Sequence, residues 1–130
     1  MIRRPKILYY DNGQTEKGKE LEKAMRHMGV DFYPITPQSF LQTVGYLAKV
    51  KGFPPRKISV LENIPSIHQE VMVMCNFTDD NLNSLLKSMR NGEVPSVALK
   101  AVLTNQNCFW TFAHLCEELV EEHRQFEESE

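Results

Sequence analysis

The sequence predicts a mixed α/β fold: a duplicated βαβα in which a four-stranded, mostly parallel sheet is covered by helices. Three observations lead there. Apolar, β-prone runs at 6–10 and 71–75 are each followed by a stripe of helical period. A second β-prone run and a second helix then follow in each case. The two series are also punctuated alike, with Asn12 and Asn76 after the first strand, Gly29 and Gly92 after the first helix, and Thr36 and Thr104 after the second strand. Right-handed crossovers make the strands of each half parallel if they are adjacent. If the halves meet antiparallel, a ferredoxin-like α+β sandwich with extra helices is the alternative.

Each element has its own signal. Residues 6–10 form a strand that Asp11-Asn12-Gly13 ends. Thr15 is positioned to cap a helix over 15–28, with Leu21, Ala24, Met25 and Met28 on one face and Gly29 closing it. Residues 30–35 make the second strand. Thr36-Pro37 opens a helix that carries Phe40, Leu41, Val44, Leu47 and Ala48 on one stripe and stops near Gly52. Residues 52–69, broken by Pro54, Pro55 and Pro65, form an internal connection, with a short edge strand expected at 58–61. Residues 70–76 are a buried strand. Thr78 caps the next helix, Leu82, Leu85, Leu86 and Met89 form its apolar face, and Asn91-Gly92 end it. A fourth strand spans 96–104, and the longest helix runs over 107–127. The chain of 130 residues is then one α/β domain, 1–130, with pseudo-repeat halves at 5–52 and 70–128.

Composition narrows the function classes. With 15 basic and 17 acidic residues and a net charge of -2, the chain has no excess charge to neutralise a phosphate backbone, so no nucleic-acid partner is expected. Arg3, Arg4 and Lys6 open the chain. Glu117, Glu118, Glu121, Glu122, Glu127, Glu128 and Glu130 crowd its end, as a solvated helix face or, more sharply, as an acidic docking surface for a basic partner. No apolar run reaches the roughly 20 residues of a membrane span. Cys75, Cys108 and Cys116 show no staple-like spacing, which fits reduced thiols and a cytoplasmic location.

Several motifs are declined. Gly13 to Lys19 matches most of a phosphate-binding loop, but Glu20 stands where a hydroxyl should hold magnesium, and a carboxylate there repels phosphate. No Cys-x-x-Cys or paired Cys/His spacing supports a metal, and His27, His68, His114 and His123 share no motif, so neither metal nor cofactor is expected. Cys75 and Cys116 read as buried apolar side chains. Cys108 sits at a predicted helix N-terminus, where a thiol pKa can fall.

The segment 99–110 is the informative one. Lys100 interrupts an apolar strand, which means an edge position, a snorkelling stem or a functional cation. Thr104 and Asn107 are both cap types, and the helix N-terminus they would cap presents N–H groups at a strand's carboxyl end. Trp110, the single tryptophan, falls in the first turn of that helix as core or as a pocket wall. The ligand-binding candidates are therefore Lys100, Thr104, Asn107 and Trp110.

This segment, Lys100-Ala101-Val102-Leu103-Thr104 with Asn107 and Trp110, resembles a family of small bacterial proteins grouped as a domain of unknown function and common in anaerobic Firmicutes. Residues 43–47 and 70–78 carry further likeness. The resemblance implies a bacterial cytosolic protein and a joint role for the four residues; it implies no activity. The first strand, loop and helix also resemble thioredoxin-like arsenate reductases, but 11–17 lacks the cysteine that chemistry requires.

The function expected is a small cytosolic binding or regulatory domain that recognises an anionic small molecule or a protein terminus at the corner 100–110. An enzyme using a desolvated Lys100 with Cys108 is one alternative. A structural homodimer joined through a sheet edge or the last helix is the other.

Overall fold

The computed structural model describes residues 4–59 and 62–128, with side chains to Gln125. The elements are β1 (Lys6–Tyr10), α1 (Thr15–His27), β2 (Asp31–Pro34), α2 (Val44–Leu47), β3 (Val71–Cys75), α3 (Asp79–Arg90), β4 (Leu99–Val102) and α4 (Phe112–Glu128). Short 3-10 turns at Pro37–Ser39 and Asn107–Phe109 precede α2 and α4. The four strands form one sheet in the order β2-β1-β3-β4.

Within each half the strands are parallel, with Leu8 opposite Tyr33 and Met72 opposite Lys100. The halves meet antiparallel along β1 and β3, with Leu8 opposite Val73. The ferredoxin-like alternative, expected for an antiparallel junction, is not what forms. Each flanking strand pairs in parallel with the first strand of its own half.

Both faces of the sheet are buried, which explains why the central strands lack apolar-polar alternation. Leu8, Val71, Val73 and Cys75 face one core with Phe40 from the end of the first 3-10 turn, Val44 from α2, and Phe112 and Cys116 from α4. Ile7, Tyr9, Met72 and Met74 face the other with Leu21, Met25, Leu85 and Met89 from α1 and α3. The sheet is thus covered by α2 and α4 on one side and by α1 and α3 on the other.

Two expected helices are shorter than their apolar stripes imply. In place of a helix from Thr36 to near Gly52, the chain makes a 3-10 turn and the four-residue α2. In place of a helix from Asn107, α4 begins at Phe112. The interruptions face each other. Thr43 and Thr111 form an antiparallel bridge, Val44 N donates to Trp110 O at 2.8 Å, and Phe112 N donates to Gln42 O at 3.0 Å. Two extended residues thereby give up helical bonds for bonds between the halves. Thr43 Oγ1 accepts from Tyr46 N and Thr111 Oγ1 accepts from His114 N, each at 3.1 Å, so both helices restart on a threonine cap.

Gly45 lies at this junction. A Cβ there would sit 2.7 Å from the Phe53 ring and 2.9 Å from Cys108 O, so α2 can approach the second half only with glycine. Elsewhere, Thr15 is the first residue of α1 and Gln14 its cap position, whereas Thr78 caps α3 as expected by accepting from Asn81 N at 3.2 Å. Ile58 and Ser59 are not in a strand. Val60 and Leu61 of that expected edge strand lie outside the described residues, as do Arg3 and Glu130 and the side chains of Glu127 and Glu128.

Candidate functional site

The chain leaves β4 through a tight polar corner. Asn107, 8% exposed, is the organising residue. Its Oδ1 accepts from Thr104 N at 2.8 Å and its Nδ2 donates to Val102 O at 3.0 Å. Thr104 Oγ1 accepts from Asn107 N at 2.9 Å and from Gln106 N at 3.3 Å. Cys108 N donates to Thr104 O at 3.2 Å and Trp110 N to Asn107 O at 3.0 Å. These bonds satisfy one another, and the first N–H groups of α4 are taken by Gln42 O, Phe40 O and Thr111. The expected row of donors at a helix start beside Thr104 and Asn107 is therefore absent: neither residue caps α4, and Thr111 does.

Lys100 takes a different direction from the rest of the corner. Its neighbours Leu99 and Ala101 face the core formed with α2 and α4, against which Trp110 also packs. Lys100 is opposite Met72, which faces the other core, and so leaves the strand on the α1/α3 side. Its Nζ donates to Val97 O at 2.5 Å. Burial holds its pKa below the ordinary lysine value, and the Glu70 carboxylate opposes that fall. The structure brings Thr104, Asn107 and Trp110 together and turns the Lys100 ammonium away from the indole.

A groove runs along the outer edge of β4, between that strand and α4. Around the corner it forms a cavity of about 320 Å³ lined by Lys100, Val102, Thr104, Asn107 and Trp110 from the strand and turn, and by Leu115, Glu118, Leu119 and Glu122 from α4. It adjoins a second depression of about 300 Å³ that shares Lys100, Leu119 and Glu122 and extends to Ala98 and His123. The α4 side follows from sequence spacing, since 115, 118, 119 and 122 fall on one helical stripe. The Trp110 and His114 rings lie 4.8 Å apart, and His114 Nε2 is 3.6 Å from Glu118. The indole and the Glu118 carboxylate thus share His114 as a neighbour. The charge on that wall is acidic.

A polar cluster absent from the sequence reading lies on the other face. Glu70, just before β3, accepts from the Tyr9 hydroxyl at 2.7 Å and forms an ion pair with Lys17. Burial, together with the bond to Glu70, pushes the Tyr9 pKa well above its ordinary value. Nearby, the Tyr10 hydroxyl donates to Ile67 O at 3.1 Å and Asn12 Nδ2 to His68 O at 2.7 Å. The first half therefore grips the end of the connection with four side chains. No sequence motif marks this cluster, because Tyr9 and Lys17 lie 61 and 53 residues from Glu70.

The remaining candidates resolve as packing. Cys75 and Cys116 are buried free thiols whose pKa values burial raises to about 12. Cys108 is also buried, in the 3-10 turn before α4, and its thiol donates to Asn105 O at 3.4 Å. The phosphate-loop lookalike is dismantled by α1, which starts at Thr15 and places Gly18 and Lys19 inside the helix. Among the described residues, no group of three or more His, Cys, Asp or Glu could hold a metal ion, and no helix is long and apolar enough to cross a membrane.

Comparison with curated proteins and with solved structures returned no match. Residues 70–126, which contain β3, α3, β4, the corner and nearly all of α4, match the model of a family described as a domain of unknown function (DUF3783).

Proposed function

We propose that the chain is a small non-catalytic recognition domain whose ligand lies in the groove between β4 and α4, at the corner 100–110. The observation that carries this reading is the groove wall, where apolar Ala101, Leu115, Leu119 and Trp110 stand beside Glu118 and Glu122. With the N–H groups of Thr104, Gln106 and Asn107 bonded within the turn and two carboxylates on the wall, an anionic small molecule is disfavoured. A protein segment or terminus that brings a cation and an apolar neighbour fits the same wall. A bacterial, cytoplasmic setting accompanies this reading, supported by the family resemblance and by three unpaired cysteines.

The enzyme alternative, with Lys100 and Cys108, has less support, since the ammonium bonds to Val97 O and the thiol to Asn105 O rather than to each other.

Trp110 is the single tryptophan, so its emission reports on this groove alone. Titration of the chain with a blocked lysine-containing peptide is expected to change the emission saturably, and inorganic phosphate is expected to leave it unchanged. A saturable response to phosphate with none to the peptide would reverse the assignment of ligand charge.

A further inference from the structure

We infer that the groove takes an extended protein segment as a fifth strand on the outer edge of β4, with a basic side chain of that segment between Glu118 and Glu122. This rests on the groove being the binding place. The ladder sets the direction of the peptide groups. Leu103 N donates to Met74 O at 2.9 Å, so in a parallel pair Leu99, Ala101 and Leu103 turn their N–H and C=O toward β3. Lys100 and Val102 therefore turn theirs outward, along the groove. Asn107 Nδ2 already occupies Val102 O and closes that end of the edge. The outward N–H and C=O of Lys100 and the N–H of Val102 are left as the set an added strand would meet.

The two edges of the sheet differ in how they are guarded. β2 ends in Pro34 and carries Asp31 held by Arg4 at 3.0 Å, which blunts it against pairing. The one charged residue of β4, Lys100, is folded back onto Val97 O. Val102, 42% exposed, offers an apolar side chain for a cross-strand neighbour. A strand edge beside a helix is a recurring way to hold an extended segment, with main-chain bonds giving affinity and side-chain pockets giving selectivity. Here the selective element is acidic, because Glu118 and Glu122 stand one helical turn apart on the opposing wall.

The test uses the whole chain labelled with 15N and a blocked hexapeptide, acetyl-Thr-Lys-Val-Lys-Val-Thr-amide. The parent peptide is expected to shift the amide signals of Lys100 and Val102. The same peptide N-methylated at alternate backbone positions is expected to bind at least about tenfold more weakly, since it loses the strand bonds. Replacing its lysines by glutamate, or introducing Glu118→Gln with Glu122→Gln in the domain, is expected to weaken binding by a similar factor. Equal binding of the methylated and parent peptides, with Trp110 still responding, would overturn strand addition and leave the groove reading standing. Silence of Trp110 toward every cationic peptide would remove both. Concentration-dependent shifts at Lys100 and Val102 without peptide would overturn the basic partner in favour of pairing between copies of the chain.

Discussion

Glu70 and Lys100 are charged side chains at one end of the β3–β4 pair, and their surroundings set opposite consequences for mutation. Glu70 has both carboxylate oxygens bonded, one by Tyr9 and one by Lys17. Tyr9→Phe removes a donor and leaves a largely buried oxygen without its partner, which is expected to cost about 1–2 kcal/mol in urea denaturation. Lys100 pays a burial penalty instead. Lys100→Met is expected to raise stability at pH 7 by up to about 1 kcal/mol after solvent screening. The sign with pH follows from the lowered pKa. The unfolded chain binds the lysine proton more tightly, so the wild type gains stability as pH rises toward the ordinary lysine value of 10.5, and its deficit against the Met variant narrows. Thermal melts of both proteins from pH 7 to pH 10 check this, and a gap that widens with pH would contradict it. At this scale Lys100 was legible because a lone cation in an apolar strand stands out. Its direction was not, since that depends on which face of the sheet each neighbour covers.

The elements were legible where local signals act alone. α3 follows its threonine cap, its leucine stripe and its closing Asn-Gly, and β3 follows its unbroken apolar run. The helices flanking Thr43 and Thr111 were not legible, because the residues that interrupt them bond to each other across 68 positions. Periodicity marks the buried face there and carries no record of a bridge that takes precedence over the helix. Gly45 is the residue on which this junction closes. Gly45→Ala is expected to destabilise the chain by about 1–3 kcal/mol through the forced retreat of Phe53 and the Cys108 carbonyl. Thr111→Ala, which removes the cap of α4 without adding volume, is expected to cost about 1 kcal/mol. Chemical denaturation of the two variants separates the effects. If Gly45→Ala proves neutral, the close approach at the junction is not required.

For the whole molecule, the alternation of strand and helix was enough to predict an α/β sheet with parallel pairs inside each half. The antiparallel seam between β1 and β3 depends on how the connection 53–70 returns the chain. The clamp on its end is built from Tyr9, Tyr10, Asn12 and Lys17, whose roles emerge only in the fold. The same holds for the groove. Thr104, Asn107 and Trp110 were readable from their segment, whereas Glu118 and Glu122, which set its charge, became wall residues only when α4 was laid along β4. The central claim is that this groove is where the protein meets its partner. Its most direct test is an amide-resolved NMR titration of the intact chain with the blocked lysine peptide. The account predicts that the largest shifts fall on 98–104 and 115–122, with 12–18 and 49–57 unmoved. Largest shifts in the other groove beside α4, where Ile67 and His68 face Cys116 and Val120, would contradict it.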